Sequence, residues 1–431
     1  MLARERGHDG SFACAVLLAP AGLSYDLTST FAVCDRGRLG IEKPARGSSC
    51  RQIKSFGEIA LEEIAISSRR HFLKTGAAAA ASGIMFCGCG LLKSAHAQLE
   101  PRRKLPVTVN GKRVKTIDVH AHCHFREAGA LLGEEGTRLQ ISPINGASET
   151  YIDLPQRLAA MDAQAVDMEI LSINPFWYNR ERDLAAQTVK LQNEKLAKFC
   201  AANSARFAAF ASLTLQAPDL AVQELETAVR KQGLKGAAIG GSVNGVDFSD
   251  QKFHPVWAKA EELGVPLFIH PRGMPELSKR LAGNGWLDNT IGNPLDTTIA
   301  LSHLIFEGTL DRFPGLKVIA AHGGGYLPSY ADRSDHACMV GPKGCNPDLK
   351  LKKPPSEYLR QIYFDSLVFT PEAIRHLVAQ VGASQIVLGS DYPYPWQLNP
   401  VDHIFAAASL SDEQKVDILG RTAAKLFNLE A

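Results

Sequence analysis

Short aliphatic runs recur along the chain after residue 114, and longer amphipathic stretches separate them. A run of about four to eight apolar residues bounded by turn residues is typical of a strand that is buried on both faces of a parallel sheet. The pattern predicts eight strands, at 115–121, 167–173, 206–213, 236–240, 265–270, 316–322, 362–366 and 385–390.

Good helix formers fill the intervals between these strands. The stretches 183–202 and 219–232 are rich in Ala, Leu, Glu, Lys and Gln, which favour helix. Repeated β-α units at this spacing favour a closed (β/α)8 TIM barrel over an open doubly wound sheet. The Gly-, Glu- and Ser-rich stretch 124–150 is predicted to be a long insertion after the first strand that could act as a lid.

Residues 67–97 have the organisation of an export signal. The pair Arg69 and Arg70 is followed by Phe-Leu-Lys, by an Ala/Gly-rich apolar stretch and by Ala-His-Ala ahead of Gln98. This order predicts a twin-arginine signal peptide that is cleaved after Ala97. The expected partner is the twin-arginine export machinery, and the expected location is the periplasm or the exterior. The glycines of the stretch argue against a stable membrane anchor.

Residues 1–66 precede this signal and show neither helical nor alternating periodicity. They are interpreted either as a wrongly assigned start or as a pre-sequence that is also removed. Residues 98–431 are then expected to form a single barrel domain. This part retains four of the nine cysteines, and Cys338 and Cys345 bracket a Gly/Pro loop where a disulfide and two free thiols are equally expected.

Composition narrows the class of protein. The chain is 45% hydrophobic, which excludes a disordered protein and permits a large core. The 47 basic and 45 acidic residues nearly cancel, so a nucleic-acid binder that relies on bulk charge is excluded. No window is both apolar and long enough to predict a membrane span.

Polar side chains gather at the C-terminal ends of the predicted strands. His120 and His122 end the first strand two residues apart, so both imidazoles face the same side. His270 and His322 end the fifth and sixth strands, and Asp391 follows the eighth. Barrel enzymes carry their chemistry at these ends. Because burying such a cluster is costly without a cation, the sequence predicts a metal site.

The ligand types narrow the metal. Imidazole nitrogens with one carboxylate favour Zn²⁺ and also admit Mn²⁺, Fe²⁺ or Co²⁺. The fourth strand has no lysine at its C-terminal end that would bridge two metals. We therefore expect one divalent ion.

Six motifs occur in order along this part of the chain: DVHAH at 118–122, FIHP at 268–271, AHGGG at 321–325, PSEY at 355–358, FDS at 364–366 and GSDYPYP at 389–395. With these motifs, the chain from about Val114 to Leu429 resembles the amidohydrolase superfamily. Within it, the His-Gly-Gly-Gly turn and the Gly-Ser-Asp-Tyr-Pro strand end resemble the branch of aminocarboxymuconate semialdehyde decarboxylase and related aromatic-acid decarboxylases. The resemblance implies a barrel of the metal-dependent hydrolase type.

The resemblance also implies roles for individual residues. The expected metal ligands are His120, His122, His270 and Asp391, and Asp391 is counted among the catalytic residues as well. His322 is similar to the family's unligated acid/base histidine. Arg333 is similar to an arginine that reaches the substrate carboxylate across a dimer interface, so a homodimer is expected. The family's other substrate-binding arginine lies in the insertion after the first strand, where this chain has no clear counterpart.

Two reactions fit this site. One is decarboxylation of a small aromatic or unsaturated carboxylic acid, and the other is hydrolysis of a lactone, amide or ester by metal-bound hydroxide. Both are open because a bound cation lowers the pKa of its water to about 7 and a nearby imidazole can move the proton. The resemblance favours the decarboxylase. A non-catalytic periplasmic metal- or ligand-binding barrel is the third interpretation, and a histidine at position 322 argues against it.

Overall fold

The computed structural model describes residues 2–6, 12–16, 104–134, 136 and 153–430. The chain divides into two compact units, Met1–Ala95 and His96–Ala431. Within the first unit, strands β1 (Leu2–Arg6) and β2 (Phe12–Val16) pair in antiparallel fashion, an element that the hydrophobic pattern does not predict. The predicted signal peptide at 67–97 lies outside the described residues, as does most of the predicted lid.

In the second unit, a small hairpin precedes the barrel. Strands β3 (Thr108–Val109) and β4 (Lys112–Arg113) are joined by Asn110 and Gly111, whose φ angles are +52° and +74°. Two positive φ values in a two-residue turn suit Asn-Gly, which is the strongest short hairpin signal in a sequence. The hydrophobic pattern does not predict this hairpin, because its two-residue strands are too short to show alternation.

All eight predicted barrel strands are confirmed in position. They are β5 (Ile117–His122), β6 (Met168–Ser172), β7 (Phe207–Ala209), β8 (Ala237–Ile239), β9 (Pro266–Ile269), β10 (Lys317–Ala320), β11 (Ile362–Asp365) and β12 (Ile386–Val387). Most are shorter than the aliphatic runs that predict them. Most of the extra residues of those runs are buried beside the strand ends, and the others are half-buried.

Parallel pairing closes these strands into the predicted barrel. Neighbours run β5-β6-β7 in one stretch and β8-β9-β10-β11-β12 in the other. Parallel bridges join the two stretches on both sides, Ala211 with Ala237 between β7 and β8 and Asp118 with Leu388 between β12 and β5. Closure leaves no unpaired sheet edge and brings all strand ends to one mouth.

Helices lie between successive strands and after the last strand, in agreement with the predicted β-α order. They are α1 (Arg126–Leu131), α2 (Leu154–Gln164), α3 (Arg182–Ala202), α4 (Pro218–Arg230), α5 (His254–Leu263), α6 (Ser278–Leu281), α7 (Asn293–Phe306), α8 (Thr309–Arg312), α9 (Ala331–Asp335), α10 (Ala337–Val340), α11 (Pro371–Val381), α12 (Pro400–Ala406), α13 (Asp412–Val416) and α14 (Thr422–Phe427). None of the helices in the described ranges combines the length and apolarity required to cross a bilayer.

An apolar core fills the barrel beneath its mouth. Phe210 and Phe268 stack there with their ring centroids 5.4 Å apart, and Phe427 of α14 packs edge-on against Phe210 at 5.6 Å. Phe427 also lines a small cavity with Lys235 and Pro266, which precede or begin strands, so α14 closes the end opposite the mouth. The polar groups at the mouth therefore lie on a buried apolar layer, where electrostatic interactions are strong.

Candidate functional site

Four strand ends meet at the mouth of the barrel and bring the predicted ligands together. His120 and His122 end β5, His270 follows β9, and Asp391 follows β12. All four side chains are buried. One donor atom from each lies within 4.8 Å of the others. A register shift between Asp118 and Ala121 in the β5-β6 pairing lets both histidines face this point although Val119 belongs to the core below.

The donor atoms are close enough to share one ion. The Nε2 atoms of His120 and His122 are 3.1 Å apart, and Asp391 Oδ1 lies 3.2 Å and 2.9 Å from them, respectively. The ring of His270 has its centroid 4.6 Å from that of His122, and neither of its nitrogens has a hydrogen-bond partner among the described residues. Buried polar atoms without partners are costly unless a cation binds them. This donor set fits a single divalent metal ion.

The electrostatics of the group also favour a cation. Burial and the neighbouring imidazoles hold the pKa of His270 well below its usual value. Burial opposes ionisation of Asp391, but the charge of His120 and the hydrogen bonds from the histidines lower its pKa well below the usual range. Burial likewise opposes protonation of His120, yet Asp391 and Asp365 raise its pKa to about 10. Asp391 is therefore a carboxylate anion in need of positive charge.

Asp365 at the end of β11 orients two of the site histidines. Its Oδ2 lies 2.6 Å from His120 Nδ1 and accepts the backbone N–H of His322 at 2.8 Å, while Oδ1 accepts that of Gly323 at 2.7 Å. When Nδ1 of His120 donates to this carboxylate, Nε2 presents its lone pair to the ion. Asp365 therefore supports the ligand His120 and also holds the backbone of His322.

His322 adjoins the four ligands without belonging to their group. Its Nε2 is 3.8 Å from Asp391 Oδ2, and its side chain is 16% exposed, whereas the ligand side chains are nearly inaccessible. Its φ of +55° and that of Asp391, +65°, lie in the left-handed region that non-glycine residues rarely adopt. Such strain concentrates at functional sites. His322 is therefore held beside the ligands but open to solvent.

Two further contacts that position His122 were missed by sequence reasoning. Ser172 Oγ at the end of β6 lies 3.0 Å from His122 Nδ1. Arg157 of α2 donates Nη1–H to the His122 carbonyl at 2.7 Å and Nε–H to Glu169 Oε2 at 2.6 Å, and its guanidinium lies 4.9 Å from the Tyr392 ring centroid. A lone arginine in a helix gives no signal in the sequence. Only the fold shows that the buried Arg157 guanidinium contacts both the backbone of His122 and the ring of Tyr392, the residue that follows Asp391.

Several other reactive or charged residues lie outside the group of metal ligands. Cys123 is buried, and this burial raises the pKa of its thiol to about 12, so it packs as a neutral thiol. His124 stacks on Phe176 and is not part of the four-donor group. Arg333 lies exposed on α9, and its contact with a partner's substrate stays a prediction. Cys338 and Cys345, on which the sequence was undecided, are joined as a disulfide.

We predict that Arg157→Met strongly destabilises the protein. Removal of the guanidinium leaves the Glu169 carboxylate buried without its partner, which costs about 3–5 kcal/mol of unfolding free energy. Chemical denaturation measures this. The double variant Arg157→Met with Glu169→Leu recovers much of the loss, because an apolar pair removes the uncompensated charge. Arg182→Met, which breaks an exposed pair with Asp219, is the matched control and leaves stability nearly unchanged. Equal effects of the two single variants would contradict this interpretation.

Several known proteins are similar to this chain in sequence and in fold. The family model described as amidohydrolase matches residues 117–429. The chain is 32% identical to the 2-amino-3-carboxymuconate-6-semialdehyde decarboxylase of Dictyostelium discoideum over 64% of this chain and 76% of that protein. It is 30% identical to the gamma-resorcylate decarboxylase of Rhodococcus jostii, over 64% and 87% of the two chains.

Solved structures of decarboxylases have a similar fold. The 5-carboxyvanillate decarboxylase of Sphingomonas paucimobilis superposes with a TM-score of 0.66 at 26% identity, over 74% of this chain and all of that one. The 5-carboxyvanillate decarboxylase of Novosphingobium aromaticivorans, solved with manganese and 4-hydroxy-3-methoxy-5-nitrobenzoic acid, gives 0.67 at 25% identity, over 73% and 96%. From its matched sequence, its closed barrel and its cluster of three histidines and an aspartate, this chain belongs to the amidohydrolase family.

Proposed function

We propose that this protein is a metal-dependent carboxy-lyase that removes CO₂ from a small aromatic or unsaturated carboxylic acid. The observation that carries the proposal is His322, a partly exposed imidazole held 3.8 Å from the ligand carboxylate and outside the ligand group. A purely binding site has no need of such a group. The relatives are decarboxylases, which favours this reaction over hydrolysis of a lactone, amide or ester.

In this mechanism the side chains of the site have two roles: four of them hold the metal ion, and His322 transfers a proton. His120, His122, His270 and Asp391 would hold a divalent ion, which would supply positive charge for anionic oxygens of the substrate. His322, whose Nε2 faces Asp391, delivers a proton to the substrate carbon that bears the carboxylate. The bond from that carbon to the carboxylate then breaks, and its electron pair restores the conjugated system as CO₂ leaves. Asp391 Oδ2, 3.8 Å from Nε2, places a negative charge beside the imidazole.

The metal is proposed to be Zn²⁺, with Mn²⁺ as the alternative. Three imidazoles and one carboxylate suit Zn²⁺ on the grounds of ligand type. The manganese in the structurally similar 5-carboxyvanillate decarboxylase supports the alternative.

We predict that His322→Ala retains the metal and loses activity. Loss of a general acid lowers the rate of CO₂ release by about 10²- to 10⁴-fold, whereas all four ligands remain. Elemental analysis of purified protein and a CO₂-release assay over hydroxybenzoates and muconate-type acids measure the two effects. His270→Ala is the control that loses both metal and activity. Turnover of lactones or esters without CO₂ release from any acid would instead indicate a hydrolase.

We propose further that the protein is a homodimer in which Arg333 binds the substrate carboxylate of the partner's site. Arg333 is exposed on α9, and exposed apolar side chains lie near it in sequence, including Tyr330 (59%), Met339 (70%) and Val340 (78%). Apolar surface of this kind commonly marks a protein contact. Two copies of one patch would form a two-fold interface.

Mixing of variants tests this arrangement. We expect Arg333→Met and His322→Ala to be nearly inactive alone and to regain roughly a quarter of full activity when co-expressed, because mixed dimers contain one complete site. Activity is measured as CO₂ release and dimer mass by light scattering. Co-expression of Arg333→Met with Arg333→Ala is the control without a complete site. A monomer, or no recovery in the mixed sample, contradicts the proposal.

We propose that the protein is exported in folded form through the twin-arginine pathway to the periplasm or beyond. The motif at Arg69 and Arg70 carries this proposal, and the Cys338–Cys345 disulfide supports it because disulfides persist in oxidising compartments. Mature protein would begin at Gln98, and residues 1–66 would be untranslated or removed.

Cell fractionation of the full chain in a host with a working twin-arginine pathway tests the export proposal. Wild-type protein is expected in the periplasmic fraction with Gln98 as its first residue and Cys338 and Cys345 protected from thiol labelling. The double variant Arg69→Lys with Arg70→Lys is expected to stay in the cytoplasm. The same exchange at Arg102 and Arg103, beyond the cleavage site, is the control and leaves export intact. Export of the first variant would overturn the proposal.

A further inference from the structure

Three aromatic side chains form a cluster at the surface, here called the aromatic rim: Trp286, Trp396 and Phe369. The indole rings of Trp286 and Trp396 are stacked, with centroids 5.8 Å apart and an interplanar angle of 19°. The Phe369 ring lies 6.0 Å from Trp396 at 56°. These are ordinary geometries for attractive aromatic pairs. The cluster is therefore an organised surface feature.

The rim lies at the same end of the barrel as the metal ligands. Trp286, Phe369 and Trp396 belong to the segments that follow strands β9, β11 and β12, and these three strands end in or lead to His270, Asp365 and Asp391, respectively. The last of these segments also holds Tyr394, whose ring centroid is 5.7 Å from that of His122. One stretch of chain thus connects the metal centre, through Tyr394, to Trp396.

The rim presents apolar surface to solvent. Trp286 is 38% exposed and Phe369 is 58% exposed, and Ile291 and Leu398 beside them in sequence are exposed as well. By contrast, Trp177 and Trp257 are buried. Contiguous apolar surface on a soluble protein commonly marks a binding site. Trp286 also has a φ of +51°, which is rare for a bulky residue and is typical of functional segments.

We propose that the aromatic rim binds a second ring, or a comparably large apolar substituent, on the acid substrate. This inference rests on the proposed function, because the acid group must lie at the metal for its substituent to reach the rim. The substrate class is then an aromatic acid extended beyond a single ring. The occupant is the substrate and not a second copy of the chain, because the rim borders the mouth through which substrate enters. The exposed apolar residues of α9 and α10, on which the dimer proposal rests, follow β10 and are different residues from the three rings of the rim.

The test uses ligands that cannot lose CO₂. The metal-loaded protein is titrated by calorimetry with ortho-hydroxybenzenesulfonate and with its two derivatives that carry a phenyl group para to the hydroxyl or to the sulfonate. We expect at least one phenyl derivative to bind about tenfold more tightly than the parent, since a stacked ring contributes this much. The advantage is expected to fall to about twofold in Trp396→Leu and in Phe369→Leu.

Two controls make the result specific. Phe313→Leu changes a partly buried ring just before β10, at the opposite end of the barrel, and is expected to keep the tenfold advantage. Affinity for the parent sulfonate is expected to be unchanged in every variant, which shows that each remains folded with its metal. The bound phenyl derivative is also expected to shield tryptophan fluorescence from acrylamide, because the other two tryptophans are already buried.

Equal affinity for parent and derivatives overturns the proposal, as does an advantage that survives both rim variants. Dissociation of an oligomer by the rim variants also overturns it and assigns the rim to a subunit contact. Failure of the proposed decarboxylation is a separate outcome. It is seen as absent CO₂ release, whereas the affinity ratio of the sulfonates does not depend on turnover.

Discussion

The burial of three imidazoles and a carboxylate at one point is the constraint on which the rest of this structure depends. Each group would lose hydration in the folded chain, and His270 has no hydrogen-bond partner among the described residues to replace it. A divalent ion offsets that loss for all four ligands together. Because the ion binds the folded chain and not the unfolded one, its affinity adds to the free energy of unfolding. Metal binding therefore contributes directly to the stability of the folded barrel mouth.

Contacts from neighbouring residues hold the metal ligands in one orientation. Asp365 fixes the ring of His120, Ser172 fixes that of His122, and Arg157 holds the His122 backbone. Asp118 accepts the His120 N–H at 3.0 Å and bonds to Ser390, the residue before ligand Asp391. The supports come from different strands and from α2, so the ligands keep their positions only when the barrel is closed.

Much of the fold was predictable because its signals are local. Aliphatic runs marked all eight strands, and Ala-rich stretches marked α3 and α4. The ligand residues were predictable because strand ends converge in any parallel barrel, so residue type and register suffice. Arg157 and Glu169 were not, since their pairing joins a helix to a strand across the barrel wall and follows from packing alone. The Asn110-Gly111 hairpin was missed for a different reason, because a turn signal was present without recognisable strands.

The backbone of His322 is held in place by neighbouring residues, whereas its side chain remains accessible to solvent. Its turn is held on one side by the Asp365 carboxylate and on the other by α7, where a Cβ at Gly325 would overlap the Pro294 carbonyl. The next residue, Tyr326, donates its N–H to Thr298 Oγ1 at 2.8 Å. These constraints act on the backbone and leave the imidazole itself in contact with solvent. A proton carrier needs both conditions, because its position sets the distance to the reacting carbon and its exposure lets it recover a proton after each turnover.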